Sequence, residues 1–287
     1  MEEIISKAAT LLEALPYIQR FRSQVFVVKY GGSFMDSPDP EERHRVARDI
    51  VFLEAVGINP VVVHGGGKAI TRALEQAGVK SEFVRGYRVT DEASAEIVDR
   101  ILSKEINPDI VKAIQDFGGK ARGFAGPEIF SCRKFSPKDD VDLGFVGEVS
   151  EVNVEALREC IRRSVTPVIS PTALGEDGKI YNCNADIAAA KTAIALKARR
   201  LVFMSDVPGL LRDPKKETTL LTHLQVSEVP KLQKTGVIAE GMVPKVDSAI
   251  AAIESGVEKV QFVDGRIPHS VLLEIFTDAG VGTEVVL

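Results

Sequence analysis

Val25-Phe26-Val27-Val28-Lys29-Tyr30-Gly31-Gly32-Ser33 is the stretch on which the fold turns. Its unbroken β-branched and aromatic run, Val25 to Val28, reads as a strand buried on both faces, as in a parallel sheet. The strand ends in a glycine-rich loop. Outward from it the pattern recurs: a helical stretch Glu41 to Val56, a turn Gly57-Ile58-Asn59-Pro60, a strand Val61-Val62-Val63, and a second glycine loop, His64-Gly65-Gly66-Gly67-Lys68, before a helix to Gln76. Two parallel strands then deliver two glycine loops to one sheet edge. Strand C-termini are where open α/β sheets bind ligands.

The rest of the chain keeps the alternation. Thr90 of Gly86-Tyr87-Arg88-Val89-Thr90-Asp91 is placed to cap a helix from Glu92 to Ile106. Asn107-Pro108 caps or restarts a helix to Phe117. Gly118 to Val154 reads as short strands and turns, resembling hairpins over a site more than a parallel core. A helix follows from Val154 to Arg163, then a strand at Thr166–Ser170. Strands at Arg200–Met204, Lys259–Val263 and Gly282–Val286 alternate with helices at Val226–Thr235, Val246–Glu254 and His269–Phe276. The class is α/β: a three-layer, open, mainly parallel sheet of about eight strands with helices on both faces. Only the polar turn Glu176–Lys179 marks a boundary between lobes.

Ahead of the first strand, Ile4, Ile5, Ala8, Leu11, Leu12 and Leu15 fall on one helical face, interrupted by Pro16. Such a helix docks on its own core or on another subunit, and the sequence leaves both open. A net charge of -5 disfavours a general nucleic-acid binder. Cys132, Cys160 and Cys183 are widely spaced, without a CxxC pair, and suit a reducing compartment. Met1-Glu2-Glu3 opens no basic, apolar leader, and no apolar run is long enough to span a membrane. A cytoplasmic enzyme is the expectation.

The loops themselves narrow the chemistry. Glycine lets backbone N–H groups approach an anion without a Cβ between them. Neither loop is a GxxxxGK[ST] phosphate loop or a GxGxxG dinucleotide loop. Lys29 ends a buried strand, and Lys245 follows Gly241-Met242-Val243-Pro244 at a helix N-terminus, where the helix dipole disfavours a cation. Each lysine can simply reach solvent along its stem. Phosphoryl transfer gives both a purpose, since charge on the moving phosphoryl and its leaving group must be cancelled. Asp186, in Asn182-Cys183-Asn184-Ala185-Asp186, is the candidate to hold the two lysines. That segment lies where a turn gives way to an alanine-rich helix, Ile187 to Ala198, so helix capping is the competing reading. No Ser-His-acid set or nucleophilic cysteine motif competes.

In this order, Lys29-Tyr30-Gly31-Gly32, His64-Gly65-Gly66-Gly67, Gly86-Tyr87-Arg88-Val89-Thr90, Asn182–Asp186, Ser205-Asp206-Val207-Pro208-Gly209 and Gly241-Met242-Val243-Pro244-Lys245 resemble the motifs of N-acetylglutamate kinases, in the amino-acid kinase superfamily. The resemblance runs from Val25 to the C-terminus. It implies that residues 23–287 form an amino-acid kinase domain, with an acyl amino acid lobe over 23–180 and an ATP lobe over 181–287. It further implies phosphorylation of the γ-carboxylate of N-acetyl-L-glutamate by ATP. Lys29, Lys245 and Asp186 would be catalytic, and Gly66, Gly67, Arg88 and Asn182 would bind the substrate. Gly31, Gly32, Ser205, Asp206, Gly209, Leu210, Leu211, Gly241 and Met242 would bind ATP and its phosphates. Mg²⁺ would be carried by ATP, with no protein metal cage. Carbamate, an acylated aminoadipate, or a silent amino-acid-binding role on the same fold are the alternatives.

Leu15-Pro16-Tyr17-Ile18 is similar to the N-terminal helix of family members that are arginine-inhibited hexamers. That likeness implies an oligomerisation helix over 1–22, a homo-oligomer built as dimers or a trimer of dimers, and an arginine site near Tyr17, His269, Glu274, Gly280 and Gly282. An exposed helix acid is the plain alternative for Glu274. Lys68, Asn107-Pro108 and Gly126-Pro127-Glu128 depart from the family pattern near the substrate lobe.

Overall fold

The computed structural model describes residues 2–137, 141–238, 240–278 and 280–287, and omits the side chains of residues 2–4, 6, 7 and 240. One eight-stranded sheet organises the chain. Its strands run across in the order His223–Gln225, Thr283–Val286, Lys259–Asp264, Arg200–Ser205, Val25–Tyr30, Asn59–His64, Thr166–Ile169 and Ala121–Phe124. The last six are parallel to one another, and the first two run the other way.

Val25–Tyr30 lies in the interior of this sheet, and its alternation assigns the layers. Phe26, Val28 and Tyr30 face helices Pro40–Ala55, Asn107–Asp116 and Ser270–Phe276 in one fully packed core. Val27 faces the other core, against helices Ala185–Leu196 and Val243–Glu254. By period-two alternation Lys29 shares the Val27 face. Ala188, Ala189, Ala193, Ala249 and Ala252 are fully buried there, and such small side chains bring both helices close to the strand and to each other.

Several expectations need correction. The segment Gly118–Val154 is not only a set of hairpins: Ala121–Phe124 joins the parallel sheet at its edge. The strands Phe130–Lys134 and Val146–Val152 close into a small barrel with Thr172–Gly175 and Ile180–Cys183. The turn at Glu176–Lys179 connects two antiparallel strands of that barrel. Asp91, not Thr90, caps the helix from Glu92, accepting the Ser94 N–H at 2.7 Å. Thr90 instead donates its hydroxyl to the Arg88 carbonyl. The α-helix expected to restart at Asn107-Pro108 is present as Asn107–Asp116, but without a break before it: wide π-type turns over Arg100–Ile106 lead directly into it, ending where Pro108 brings no N–H to the ladder. Only Val229–Lys234 of the segment from Val226 is α-helical.

The N-terminal helix, Glu2–Phe21, continues through Pro16. Its last turns are anchored: Phe21 is fully buried, edge-on to Phe26 with ring centroids 5.3 Å apart. Earlier on the helix, Ile5 is 60% exposed, Leu11 69% and Leu12 66%, so its apolar face does not dock on its own core. The side chain of Ile4 lies outside the described residues. Among the described residues, no helix is long and apolar enough to cross a membrane.

Candidate active site

The two glycine loops sit side by side. Tyr30 pairs with His64 in register, and the Gly65 N–H donates to the Tyr30 carbonyl at 2.7 Å. Gly31 leaves room for the Lys29 side chain to fold back over its own loop: a Cβ there would lie 2.3 Å from Lys29 Nζ. Gly32 adopts φ +144°, a conformation open to glycine, and Ser33 next to it donates its N–H and hydroxyl to Asp206 Oδ1 at 2.6 and 2.8 Å. Asp206 therefore ties the first glycine loop to the loop after Arg200–Ser205.

Asp186 occupies the first turn of helix Ala185–Leu196, where a carboxylate is favoured by the helix dipole. Asn184 is the cap, accepting the N–H groups of Asp186 and Ile187 at 2.8 and 3.3 Å. The capping reading of this segment thus holds, on Asn184. Lys245 Nζ donates to Asp186 Oδ2 at 2.6 Å. Lys29 Nζ lies 3.1 Å from Oδ1, as an ion pair without hydrogen-bond alignment. Asp186 and Lys29 are buried. Burial alone would raise the Asp186 carboxyl, but the charges of Lys29 and Lys245 outweigh it and hold the group below the usual carboxylate range. Desolvation, with Lys245 adding to it, lowers Lys29 from an ordinary lysine despite Asp186. Two ammonium groups are thereby clamped on one carboxylate, each with donors to spare.

Two cavities meet at this clamp. One, of about 230 Å³, is lined by Gly66, Gly67, Arg88, Asn182 and Asp186. The other, of about 590 Å³, is lined by Ser205, Asp206, Gly241, Met242 and Lys245. Lys29, Gly31 and Gly32 form a wall of both. In the smaller cavity Arg88 is buried, braced by the Ser81 hydroxyl, the Gly67 carbonyl at 3.0 Å and Thr71 Oγ1 at 2.9 Å, and it stacks 4.5 Å over the Phe83 ring. No carboxylate among the described residues forms an ion pair with it. Guanidinium groups are chemically suited to pair with carboxylates. Asn182, at the end of Ile180–Cys183, lines the same cavity and donates to Thr90 Oγ1 at 3.2 Å.

Other expected site residues lie elsewhere. Leu210 is buried in the core, with its N–H on Thr283 Oγ1, and Gly209 and Leu211 lie off the cavity wall. Pro214, Gly236 and Val237 border the larger cavity instead, and Phe83, Tyr87, Leu102 and Pro171 the smaller. Gly236 and Pro214 read in sequence as ordinary loop punctuation, so nothing there marked them.

Of the residues expected near arginine, Tyr17 lines a cavity of about 570 Å³ with Glu13, Arg20 and Asp278. Its hydroxyl bonds the Asp278 carboxylate. Glu274 is neither an exposed helix acid nor open to a ligand. It is buried, accepting from Gln261 at 2.9 Å and from the N–H groups of Val281 and Gly282 at 2.7 and 3.0 Å. A Cβ on Gly280 would crowd that carboxylate, and one on Gly282 would strike the Phe262 carbonyl. His269 faces Asp49 at 2.6 Å. Among the described residues no cluster of three or more His, Cys, Asp or Glu is placed to hold a metal ion.

Residues 24–264 match the family model described as the amino acid kinase family. The acetylglutamate kinase of Clostridium beijerinckii is 46% identical over 280 residues, covering 97% of this chain and 98% of that protein. That of Aquifex aeolicus is 46% identical, covering the whole of both chains. The chain belongs to the amino acid kinase family, among its acetylglutamate kinases. In solved structures, this kinase chain is similar to the N-acetylglutamate synthase of Neisseria gonorrhoeae complexed with coenzyme A and N-acetyl-glutamate. The TM-score is 0.86 and the identity 26%, over 98% of this chain but only 63% of the synthase. The carbamate kinase of Giardia lamblia, at 15% identity and TM-score 0.67, shares the fold.

Proposed function

We propose that this kinase transfers the γ-phosphoryl group of ATP, in line, to the γ-carboxylate of N-acetyl-L-glutamate, giving N-acetyl-L-glutamyl 5-phosphate for arginine biosynthesis. The observation that carries the reading is the shared wall: two cavities of different size open on one Lys29–Asp186–Lys245 clamp. A small cavity walled by an arginine that has no carboxylate partner among the described residues suits a dicarboxylic acyl amino acid, and the larger one a nucleotide. Arg88 holds the α-carboxylate, Asn182 the acyl amino end, and Gly66 and Gly67 offer N–H groups to the reacting carboxylate. Lys29 meets the phosphoryl in flight, and Lys245 the charge growing on the leaving phosphate. Asp186 touches neither; it keeps two like charges together at the place where negative charge peaks. Gly31 and Gly32 allow the phosphates to approach the backbone. Ser205, Gly241 and Met242 border the nucleotide, and Asp206 holds the Gly32–Ser33 turn against it. Mg²⁺, arriving on the ATP phosphates, would neutralise part of their charge, which suits a site without a carboxylate cage.

In this reading residues 23–180 serve mainly the acyl amino acid and 181–287 mainly ATP, in the cytoplasm. The exposed leucines of the helix over 1–22 fit the same face of a second copy, joining dimers into a larger ring. The cavity at Tyr17, with Glu13 and Asp278, has the carboxylates to take the guanidinium or amino group of an inhibitory arginine. The synthase of Neisseria gonorrhoeae, 27% identical and TM-score 0.80, has also been solved with coenzyme A and L-arginine.

ADP release by the purified protein tests the reading. We expect release that depends on N-acetyl-L-glutamate and is slowed by arginine. Release with carbamate or an acylated aminoadipate but not with acetylglutamate would overturn the substrate, and no release with any acid would leave a binding protein.

A further inference from the structure

His64 ends its strand with a fully buried ring. Its Nδ1 lies 2.9 Å from the Gly65 carbonyl oxygen, which can only accept, so Nδ1 carries the proton. Its Nε2 lies 3.2 Å from Asn107 Nδ2. That nitrogen also reaches the carbonyls of Val168 at 3.0 Å and Phe124 at 3.4 Å, so it is the NH₂ of the amide and donates. The amide oxygen lies over Gly123, where a Cβ would come within 2.1 Å of it. Asn107 is thus locked one way round, and the ring that fits it is neutral, with Nδ1–H and an Nε2 lone pair. Burial acts in the same direction, pushing the imidazole down to about 4, and no charged side chain contributes to that shift.

The Gly65 carbonyl shares a peptide group with the Gly66 N–H. A trans peptide points the two in opposite directions, and the described chain has no cis bond. With the carbonyl drawn inward to the buried ring, the Gly66 N–H is turned away from it. Gly66 lines the smaller cavity, and it precedes helix Gly67–Gln76, whose positive end faces the same place.

We propose that His64, held in its Nδ1–H tautomer by Asn107, is a positioning residue that aims the Gly66 N–H at the oxygens of the carboxylate being phosphorylated. The inference rests on the phosphoryl-transfer reading above. His64 touches no substrate; it fixes one peptide plane so that a backbone donor needs no reorganisation as charge develops.

Steady-state kinetics and thermal melting of three variants test it. His64→Leu removes the ring donor and frees the Gly65 carbonyl. We expect kcat to fall by about 10²-fold, the size of losing one preorganised donor, with KM for ATP unchanged. His64→Asn sets an amide NH₂ where Nδ1 stood and should recover most of that loss. Asn107→Asp places a carboxylate on Nε2, which draws a proton there. While the ring is doubly protonated the Gly65 bond survives; as pH rises Nδ1 loses its proton, and kcat should fall along a limb that the wild type lacks. Activity that only tracks melting temperature, with Asn no better than Leu, would overturn the inference, as would an Asn107→Asp profile superimposable on the wild type. A wild type without acetylglutamate-dependent turnover would overturn the functional reading and this inference with it. An active wild type with an equally active His64→Leu overturns the inference alone.

Discussion

Two regions of this molecule break the rule that apolar side chains go in and charges go out, and they break it in opposite directions. At the clamp, Lys29 and Asp186 are buried beside Lys245. On the N-terminal helix, Leu11 and Leu12 are more than 60% exposed. Desolvating an ion costs several kcal/mol, and the clamp offsets this by placing two cations on one carboxylate. The helix has no such internal remedy, because nothing among the described residues covers its leucines. The first departure is resolved inside the fold, by opposite charges meeting; the second is not resolved among the described residues.

The sharpest way to break the clamp is Asp186→Ala. It leaves two ammonium groups facing each other in a buried site. We expect turnover to fall by at least about 10³-fold, with about 3–5 kcal/mol lost on urea unfolding, as when a buried ion pair loses one partner. A stable, active Asp186→Ala protein would mean that the lysines do not depend on it.

Gly31→Ala is the more local test. Its Cβ would lie 2.3 Å from Lys29 Nζ, too close for contact, so the lysine is pushed off the clamp while the helices keep their packing. We expect kcat to drop by about 10²-fold with an unchanged circular dichroism spectrum. Arg88→Lys should act on binding instead. It loses the planar fork, and KM for acetylglutamate should rise about tenfold or more, with a smaller change in kcat.

pH separates the partners of the clamp. Lys29 is lowered by burial and by Lys245, so its charge is lost as pH rises, before that of an exposed lysine at about 10.4. Activity should therefore fall on the alkaline side. Asp186 is held below its unfolded value, so its contribution to stability is present above pH of about 3.9 and is lost as pH falls through the lower folded value. Acid unfolding, not an acid limb in kcat, should report it.

The helix should give the smallest effect on chemistry. Leu11→Glu with Leu12→Glu should lower the assembly size seen by light scattering while changing acetylglutamate turnover by no more than about twofold, since both side chains already face water in the single chain. An unchanged assembly would leave the exposed face unexplained.

The fold was legible where periodicity was strong. Val25–Val28 and Val61–Val63 could be read as neighbouring buried strands because nothing polar interrupts them. The small barrel was not legible, because Thr172–Gly175 and Ile180–Cys183 are short and mixed in polarity, and the barrel closes only through their pairing with the distant strands Phe130–Lys134 and Val146–Val152. At the site, Lys29 stood out as a charge ending a buried strand and Lys245 as a cation at a helix N-terminus, and Asp186 as the acid able to hold both. His64 and Asn107 did not, since their roles arise from three strand ends converging on one amide. Glu274 misled for the converse reason: a helix carboxylate gives no sign that two backbone N–H groups will fold onto it.

The most direct test of the central claim is the rate of acetylglutamate-dependent ADP release by Lys245→Ala, in protein whose melting curve matches the wild type. Lys245 is less enclosed than its two partners, so its removal is the gentlest cut through the clamp. If the leaving phosphate is stabilised there, kcat falls by about 10²–10³-fold while KM for acetylglutamate stays near the wild-type value. Turnover left intact in Lys245→Ala would contradict the account.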